Sequence, residues 1–176
     1  MSTTSICVRL TIAACAAAAL LAGSAAAADD LATLAARVQE LEDREEIRSL
    51  LLAYGRALDD RDFIAFADLF AETEGEWIGG LGAAKGRKAI FELMDASIGH
   101  NAPRNGPGNY HVFSNEQIAV DGDRASATTK WIFVVQNADA NPQWMYLGHY
   151  DDTFIRENGQ WRFLRRQAFT DIPAQP

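Results

Sequence analysis

Cysteine, histidine and clustered positive charge are all scarce in this sequence of 176 residues. The two cysteines, Cys7 and Cys15, lie in an apolar N-terminal segment, and removal of that segment would exclude disulfides, thiolate metal sites and a cysteine nucleophile. The three histidines have no ligand spacing, so we predict no metal. The net charge of −8 makes nucleic acid and anionic membranes poor partners.

Motifs for nucleotides and for a serine nucleophile are also missing. The glycine-rich stretch Gly79–Gly82 precedes a helical pattern, but it lacks the Lys-Ser/Thr pair and the strand-helix-strand context of a phosphate loop. No Gly-x-Ser-x-Gly string is found either. The sequence therefore predicts a protein that uses no cofactor.

The first 28 residues differ in composition from the rest. After Arg9, an apolar run extends from Leu10 to Ala22, and small residues follow up to Ala28. The run is about 13 residues, whereas a membrane-spanning helix needs about 20. This pattern predicts a signal peptide over residues 1–28, cleaved after Ala28, and a single domain over residues 29–176 that is periplasmic or secreted.

Two other interpretations of this segment exist. The string Ile12–Cys15 matches a lipoprotein processing box, but only two residues separate Arg9 from it, which disfavours a lipid anchor. An uncleaved membrane anchor would require a longer apolar run. We therefore expect no membrane association after cleavage.

Helical periodicity dominates the first half of the domain. Two apolar stripes between Asp30 and Asp59 predict one long helix or two in sequence, and the acidic stretch 42–46 between them is either a solvated face or a break between helices. The portion Leu31–Leu41 exceeds what one domain needs to bury, so it predicts a homodimer. Further helices are predicted over Asp62–Ala71 and Lys88–Ser97.

Strand patterns dominate the second half. A short strand is predicted at Glu76–Ile78, and the proline- and glycine-rich stretch Gly99–Gly108 is predicted to be a loop. Four runs of β-branched and aromatic residues then predict strands over Asn109–Val120, Ala125–Asn137, Gln143–Arg156 and Gln160–Thr170. Helices followed by an antiparallel meander indicate the α+β class.

Three strings in this order resemble the SnoaL-like family of the nuclear-transport-factor-2-like superfamily, over nearly all of the predicted domain. The strings are Glu46–Tyr54 with Leu58–Asp62, Tyr110–Asn115, and Gly148–Asp152 with Asn158–Arg166. The resemblance implies a cone-shaped, strongly bent antiparallel sheet that wraps around the N-terminal helices. It also implies a deep apolar pocket suited to small hydrophobic ligands.

Within that superfamily, the motifs are most similar to the bile-acid dehydratase and hexachlorocyclohexane dehydrochlorinase type, in which a His-Asp pair removes a proton from carbon. The dehydrochlorinase has lysine where this chain has Tyr54, which weakens the dehalogenating interpretation. The resemblance implies catalytic roles for Tyr54, Asp59, His111 and Arg166, and a substrate-binding role for Trp77, Phe113 and Asn115.

The residue types suit such chemistry. Neutral imidazole is a base matched to neutral pH, and a carboxylate on its other nitrogen would fix the tautomer, so His111 is the candidate base and Asp59 its orienting partner. The Tyr54 hydroxyl could donate to a carbonyl or a departing oxygen. Arg166 is predicted to share a strand face with Leu164 and Ala168, where it could stabilise a developing anion.

Structural roles are the alternatives for the same residues. Asp59 or Asp60 could cap the following helix, Tyr54 could be a core residue, and Arg166 could pair with Asp151. The four tryptophans are predicted to be packing residues. The sequence thus leaves two functions open: a cofactor-independent lyase or isomerase acting on a small hydrophobic molecule, or a non-catalytic small-molecule-binding or assembly protein of the same fold.

Overall fold

A computed structural model describes residues 4–99 and 108–173, with side chains from residue 29 onward. The side chains of the predicted signal peptide and nearly all of the predicted loop, including His100, lie outside the described residues. The chain divides into two compact units, residues 1–42 and 43–176.

The first unit is helical in its described part and belongs to helix α1, Thr4–Asp60. Its apolar stripe is solvent-exposed, at Leu31, Leu34, Val38 and Leu41. No helix in the described ranges is long and apolar enough to cross a membrane.

Helix α1 is continuous through the acidic stretch 42–46, so the alternative of two separate helices is wrong. The stretch is not wholly solvated either, because Asp43 is buried. Its carboxylate pairs with Arg156 and accepts a hydrogen bond from Trp161 Nε1 at 3.3 Å. The five consecutive charged residues suggest a break in the helix. The ion pair of Asp43 with the distant Arg156 instead holds this stretch against the sheet, and the helix continues through it.

The second unit adds two short helices, α2 (Phe63–Asp68) and α3 (Arg87–Ile98). Helix α3 confirms its prediction, whereas α2 is shorter than predicted. The N-cap of α2 is Asp62, whose carboxylate accepts from the backbone N–H of Ala65 at 3.0 Å. The alternative that Asp59 or Asp60 caps this helix is therefore wrong, and Asp59 is free for another contact.

A six-stranded sheet follows in the order β2-β1-β6-β5-β4-β3. The predicted antiparallel meander is confirmed, and β1 joins it parallel to β6. Strand β2 was not predicted, because its small residues look like a turn. The strands are β1 (Glu76–Gly79), β2 (Gly82–Lys85), β3 (Asn109–Asp121), β4 (Arg124–Gln136), β5 (Pro142–Glu157) and β6 (Gln160–Ile172).

The core of the second unit lies between the C-terminal part of α1, helix α2 and one face of the sheet. Aromatic side chains dominate it, and burial of such side chains is the main favourable term in folding. Three of the four tryptophans confirm the packing prediction, but Trp144 is 67% exposed and does not. The core residues from the three elements include Ile47, Tyr54, Phe63, Phe66, Phe154, Trp161 and Phe163.

Candidate active site

The Asp59 carboxylate and the His111 side chain are in direct contact. His111 Nδ1 lies 2.6 Å from Asp59 Oδ1, and the His111 backbone N–H donates to Asp59 Oδ2 at 2.8 Å. Asn109 Nδ2 also donates to Asp59 Oδ1, at 2.7 Å. One carboxylate thus holds the imidazole, the backbone beneath it and a neighbouring amide.

Local structure explains why these groups meet. Asp59 lies in the last turn of α1, which ends at Asp60 and is followed by Arg61 with a left-handed φ of 59°. His111 and Asn109 are two residues apart on β3, so their side chains share the face that meets the helix. Our sequence reasoning missed Asn109, although its alternation with His111 could have indicated it.

The hydrogen bonds assign the tautomer of His111. An ionised carboxylate can only accept hydrogen bonds, so the proton of a neutral imidazole lies on Nδ1. Nε2 then carries the lone pair and is the nitrogen able to accept a proton. The ring packs against Phe133, with centroids 4.7 Å apart, and its side chain is 11% exposed.

Tyr54 and Trp77 form a second polar contact, in the core. Trp77 Nε1 donates to the Tyr54 hydroxyl at 3.0 Å, and both side chains are buried. Burial raises the pKa of Tyr54, and nearby Arg166 offsets only part of this. Tyr54 is therefore a neutral phenol at neutral pH, and its hydroxyl already accepts one hydrogen bond.

Arg166 is fully buried and pairs with Asp152. Its Nε and Nη2 donate to the two carboxylate oxygens at 2.8 and 2.7 Å. The guanidinium carbon lies 4.0 Å from the Tyr54 ring centroid and 4.1 Å from that of Tyr150. Burial raises the pKa of Asp152, and the charge of Arg166 offsets only part of this.

Two sequence expectations for Arg166 are wrong. The partner is Asp152 and not Asp151, because the register of β5 and β6 places Asp152 opposite Arg166. The pairing is also irregular around Leu164, so Arg166 shares the buried face with Phe163 instead of Leu164. Asp152 could have been found from its spacing of two from the inward-facing Tyr150.

Aromatic rings connect the His111 pair to the Arg166 pair. Phe113 and Trp131 each contact Tyr150, with ring centroids 5.8 and 5.7 Å apart. Trp131 also lies 6.3 Å from the imidazole. Of the predicted substrate-binding residues, Phe113 therefore lies beside the candidate base, whereas Trp77 lies with Tyr54.

The structure does not bring Asn115 to this cluster. It is exposed, has a left-handed φ of 54°, and lines a surface groove of about 550 Å³ with Lys130 and His149. A second histidine-aspartate pair lies on that outer side, where His149 Nδ1 is 2.9 Å from Asp171 Oδ2. Within residues 29–99 and 108–173, no three His, Cys, Asp or Glu side chains are grouped as a metal site would require.

Comparison with known proteins gives consistent matches. The family model of the SnoaL-like domain matches residues 39–167. An uncharacterised protein of Mycobacterium tuberculosis is 32% identical over 131 residues, which is 73% of this chain and 86% of that protein.

Two solved structures from Novosphingobium aromaticivorans are also similar. An NTF2-like protein with a cystatin-like fold is 33% identical, with a TM-score of 0.67 over 77% of this chain and 86% of that one. A scytalone dehydratase-like protein is 25% identical, with a TM-score of 0.61 over 74% of this chain and 85% of that one.

Proposed function

Because this chain belongs to the SnoaL-like family of the nuclear-transport-factor-2-like superfamily, we propose that it is a cofactor-independent lyase or isomerase. It removes a proton from a carbon atom of a small hydrophobic molecule. The observation that carries the proposal is the contact of 2.6 Å between His111 Nδ1 and Asp59 Oδ1. The likeness to a scytalone dehydratase-like protein supports a dehydratase-type elimination.

In the proposed reaction, His111 Nε2 accepts the proton of a C–H bond. The electron pair of that bond forms a carbon-carbon double bond. In an elimination, a hydroxyl group leaves from the adjacent carbon with its bonding electrons and takes up the proton of the imidazolium, so that water is released. In an isomerisation, an existing double bond shifts as the new one forms, and its displaced electron pair takes up the proton of the imidazolium at a different carbon.

Asp59 has two functions in this mechanism. It holds the ring with Nε2 unprotonated, and its negative charge stabilises the imidazolium that forms. Asn109 supports the carboxylate with a hydrogen bond at 2.7 Å. Tyr54 and Arg166 provide a buried hydroxyl and a buried positive charge, which favour the negative charge that develops on the substrate.

Deuterium exchange into simple carbonyl compounds tests the proposal. A panel of alicyclic ketones and β-hydroxyketones is incubated with the protein in deuterated buffer, and loss of carbon-bound protons is followed by NMR. General base catalysis is worth about 10²–10⁴ in rate, so His111→Ala should slow exchange by about that factor.

Two further variants make the test specific. Adding Asp59→Asn to His111→Ala should cost little more, because residues that act as a unit give non-additive losses. His149→Ala is the matched control, since His149 is also paired with an aspartate but is more exposed. Near-full exchange in His111→Ala, or losses that multiply in the double variant, would favour the alternative of a binding or assembly protein.

A further inference from the structure

Three buried polar atoms on the inner face of the sheet have no hydrogen-bond partner among the described residues: Thr129 Oγ1, Trp131 Nε1 and Arg166 Nη1. All three residues surround Tyr150. Thr129 is opposite it in register, Trp131 stacks on it, and Arg166 lies over its ring. A buried polar group without a partner is destabilising, so a cluster of such groups indicates a place where a ligand or water supplies partners.

Trp131 is the member of this cluster that lies beside the candidate base. It pairs with Phe113 across β3 and β4, and His111 pairs with Phe133 two residues away on the same face. The centroids of the indole and imidazole rings are 6.3 Å apart. The indole and the imidazole therefore belong to one cluster of rings on the same face of the sheet.

The glycine at position 148 fixes the position of the indole. A Cβ added to Gly148 would lie 2.5 Å from Trp131 Cζ2 and 1.9 Å from the backbone oxygen of Phe169. Such distances exclude any side chain at this position. The indole therefore packs directly over the backbone of β5, in a space that only glycine leaves.

The other buried tryptophans have partners for their N–H groups. Trp77 donates to Tyr54 at 3.0 Å, and Trp161 donates to Asp43 at 3.3 Å. Among the buried tryptophans of the described residues, Trp131 alone leaves its N–H without an acceptor. Core packing accounts for the burial of the indole ring. It does not account for the missing acceptor of the Trp131 N–H group.

Resting on the function proposed above, we infer that the Trp131 N–H donates a hydrogen bond to a carbonyl oxygen of the molecule from which His111 removes a proton. The indole N–H group can only donate a hydrogen bond. It therefore binds a ligand that carries an acceptor atom and forms no hydrogen bond with a hydrocarbon. A hydrogen bond to the carbonyl oxygen also stabilises the enolate-like charge that forms when the adjacent carbon loses its proton. The substrate class is thus a small alicyclic ketone or a related carbonyl compound.

The experiment follows the four indole N–H signals of the ¹⁵N-labelled protein by NMR, with Trp131→Phe used for assignment. The probes are 2-cyclohexen-1-one and cyclohexene, which differ chiefly in the carbonyl group. The Trp131 signal should move downfield with the ketone and should not with the hydrocarbon. Trp131→Phe should weaken ketone binding about tenfold, the worth of one hydrogen bond, and leave cyclohexene binding unchanged.

Trp144→Phe is the matched control, because this tryptophan is 67% exposed and should have no effect on either probe. If Trp131→Phe fails to fold, phenylalanine variants of the other three tryptophans assign the Trp131 signal by elimination, and titration of the wild-type protein still gives an answer. No downfield ketone shift of the Trp131 signal, or equal weakening of both probes in Trp131→Phe, overturns the inference.

The two proposals can fail separately. The ketone could shift the Trp131 signal while His111→Ala and the wild-type protein exchange carbon-bound protons at equal rates. That result supports the carbonyl-binding site and contradicts the proposed enzyme function. Exchange could instead depend on His111 while the ketone leaves the Trp131 signal unchanged. That result supports the proposed function and contradicts the role of Trp131. Repeating the titration in His111→Ala separates binding from proton removal.

Discussion

Tyr54 and Tyr150 are buried phenols next to a buried ion pair. Burial raises the pKa of Tyr54, and burial raises that of Tyr150 well above its ordinary value. An unfolded tyrosine ionises near pH 10, so folding favours the protonated form of both residues. Their contribution to stability is complete below about pH 10 and is lost as the pH rises from there towards the folded-state pKa.

We therefore predict a free energy of unfolding that falls above about pH 10, with a slope of up to about 1.4 kcal/mol per pH unit for each tyrosine. Tyr150→Phe should reduce this slope, because the unfolded variant has one fewer phenol to ionise. Urea unfolding between pH 9 and 11.5 measures it. Tyr110→Phe, at a position 65% exposed, is the control, and equal slopes in Tyr150→Phe and wild type would contradict the prediction.

At the scale of residues, the sequence predicted some contacts and missed others for physical reasons. The contact between His111 and Asp59 followed from the motifs of the family. Strict alternation placed Arg166 beside Leu164, and this was wrong because β6 is irregular there. An irregularity of one residue turns all later side chains to the other face, and no local pattern in the sequence marks it.

At the scale of elements, the periodic spacing of apolar residues predicted those helices and strands that bury one face. The four long strands and the stripe along α1 were predictable because their apolar residues must face one side. The continuity of α1 through residues 42–46 was not, because it depends on Arg156, which is distant in sequence and pairs with Asp43. Strand β2 was missed because its residues are small and largely exposed.

The exposed stripe of α1 leads to a prediction at the same scale. Leu31, Leu34, Val38 and Leu41 are 44–67% exposed, so a second copy could bury them. We expect a homodimer by light scattering at micromolar concentration, and Leu34→Glu should shift it towards monomer. Leu52→Glu, on the same helix at 46% exposure, should not. A monomeric wild type would contradict this proposal.

At the scale of the whole molecule, the order of elements was enough to predict the α+β class. Helices first and an antiparallel meander last leave few other arrangements. The parallel pairing of β1 with β6 was not predicted, because it joins segments nearly ninety residues apart, as in the pair of Trp77 with Arg166. Such long-range pairing has no signature in local composition.

Export is a proposal about the molecule as a whole. We expect the protein recovered from the periplasm or medium to begin at Asp29, because the apolar run of about 13 residues and the small residues before Asp29 fit signal cleavage. Intact-mass spectrometry measures this, and Ala28→Arg should block the processing. A mass that still includes residues 1–28, or lipid on Cys15, would contradict the proposal.

Strand β3 lies at one edge of the sheet, so the contact of Asp59 with this strand matters apart from the proposed catalytic role. The backbone N–H of His111 bonds to the Asp59 carboxylate. Unpaired N–H groups on an edge strand are templates on which other chains aggregate. Asp59 therefore covers one such group and adds a negative charge beside it. We expect that removing this carboxylate would leave the N–H unpaired on an edge strand, so Asp59, the proposed partner of the base, would also disfavour edge-to-edge association.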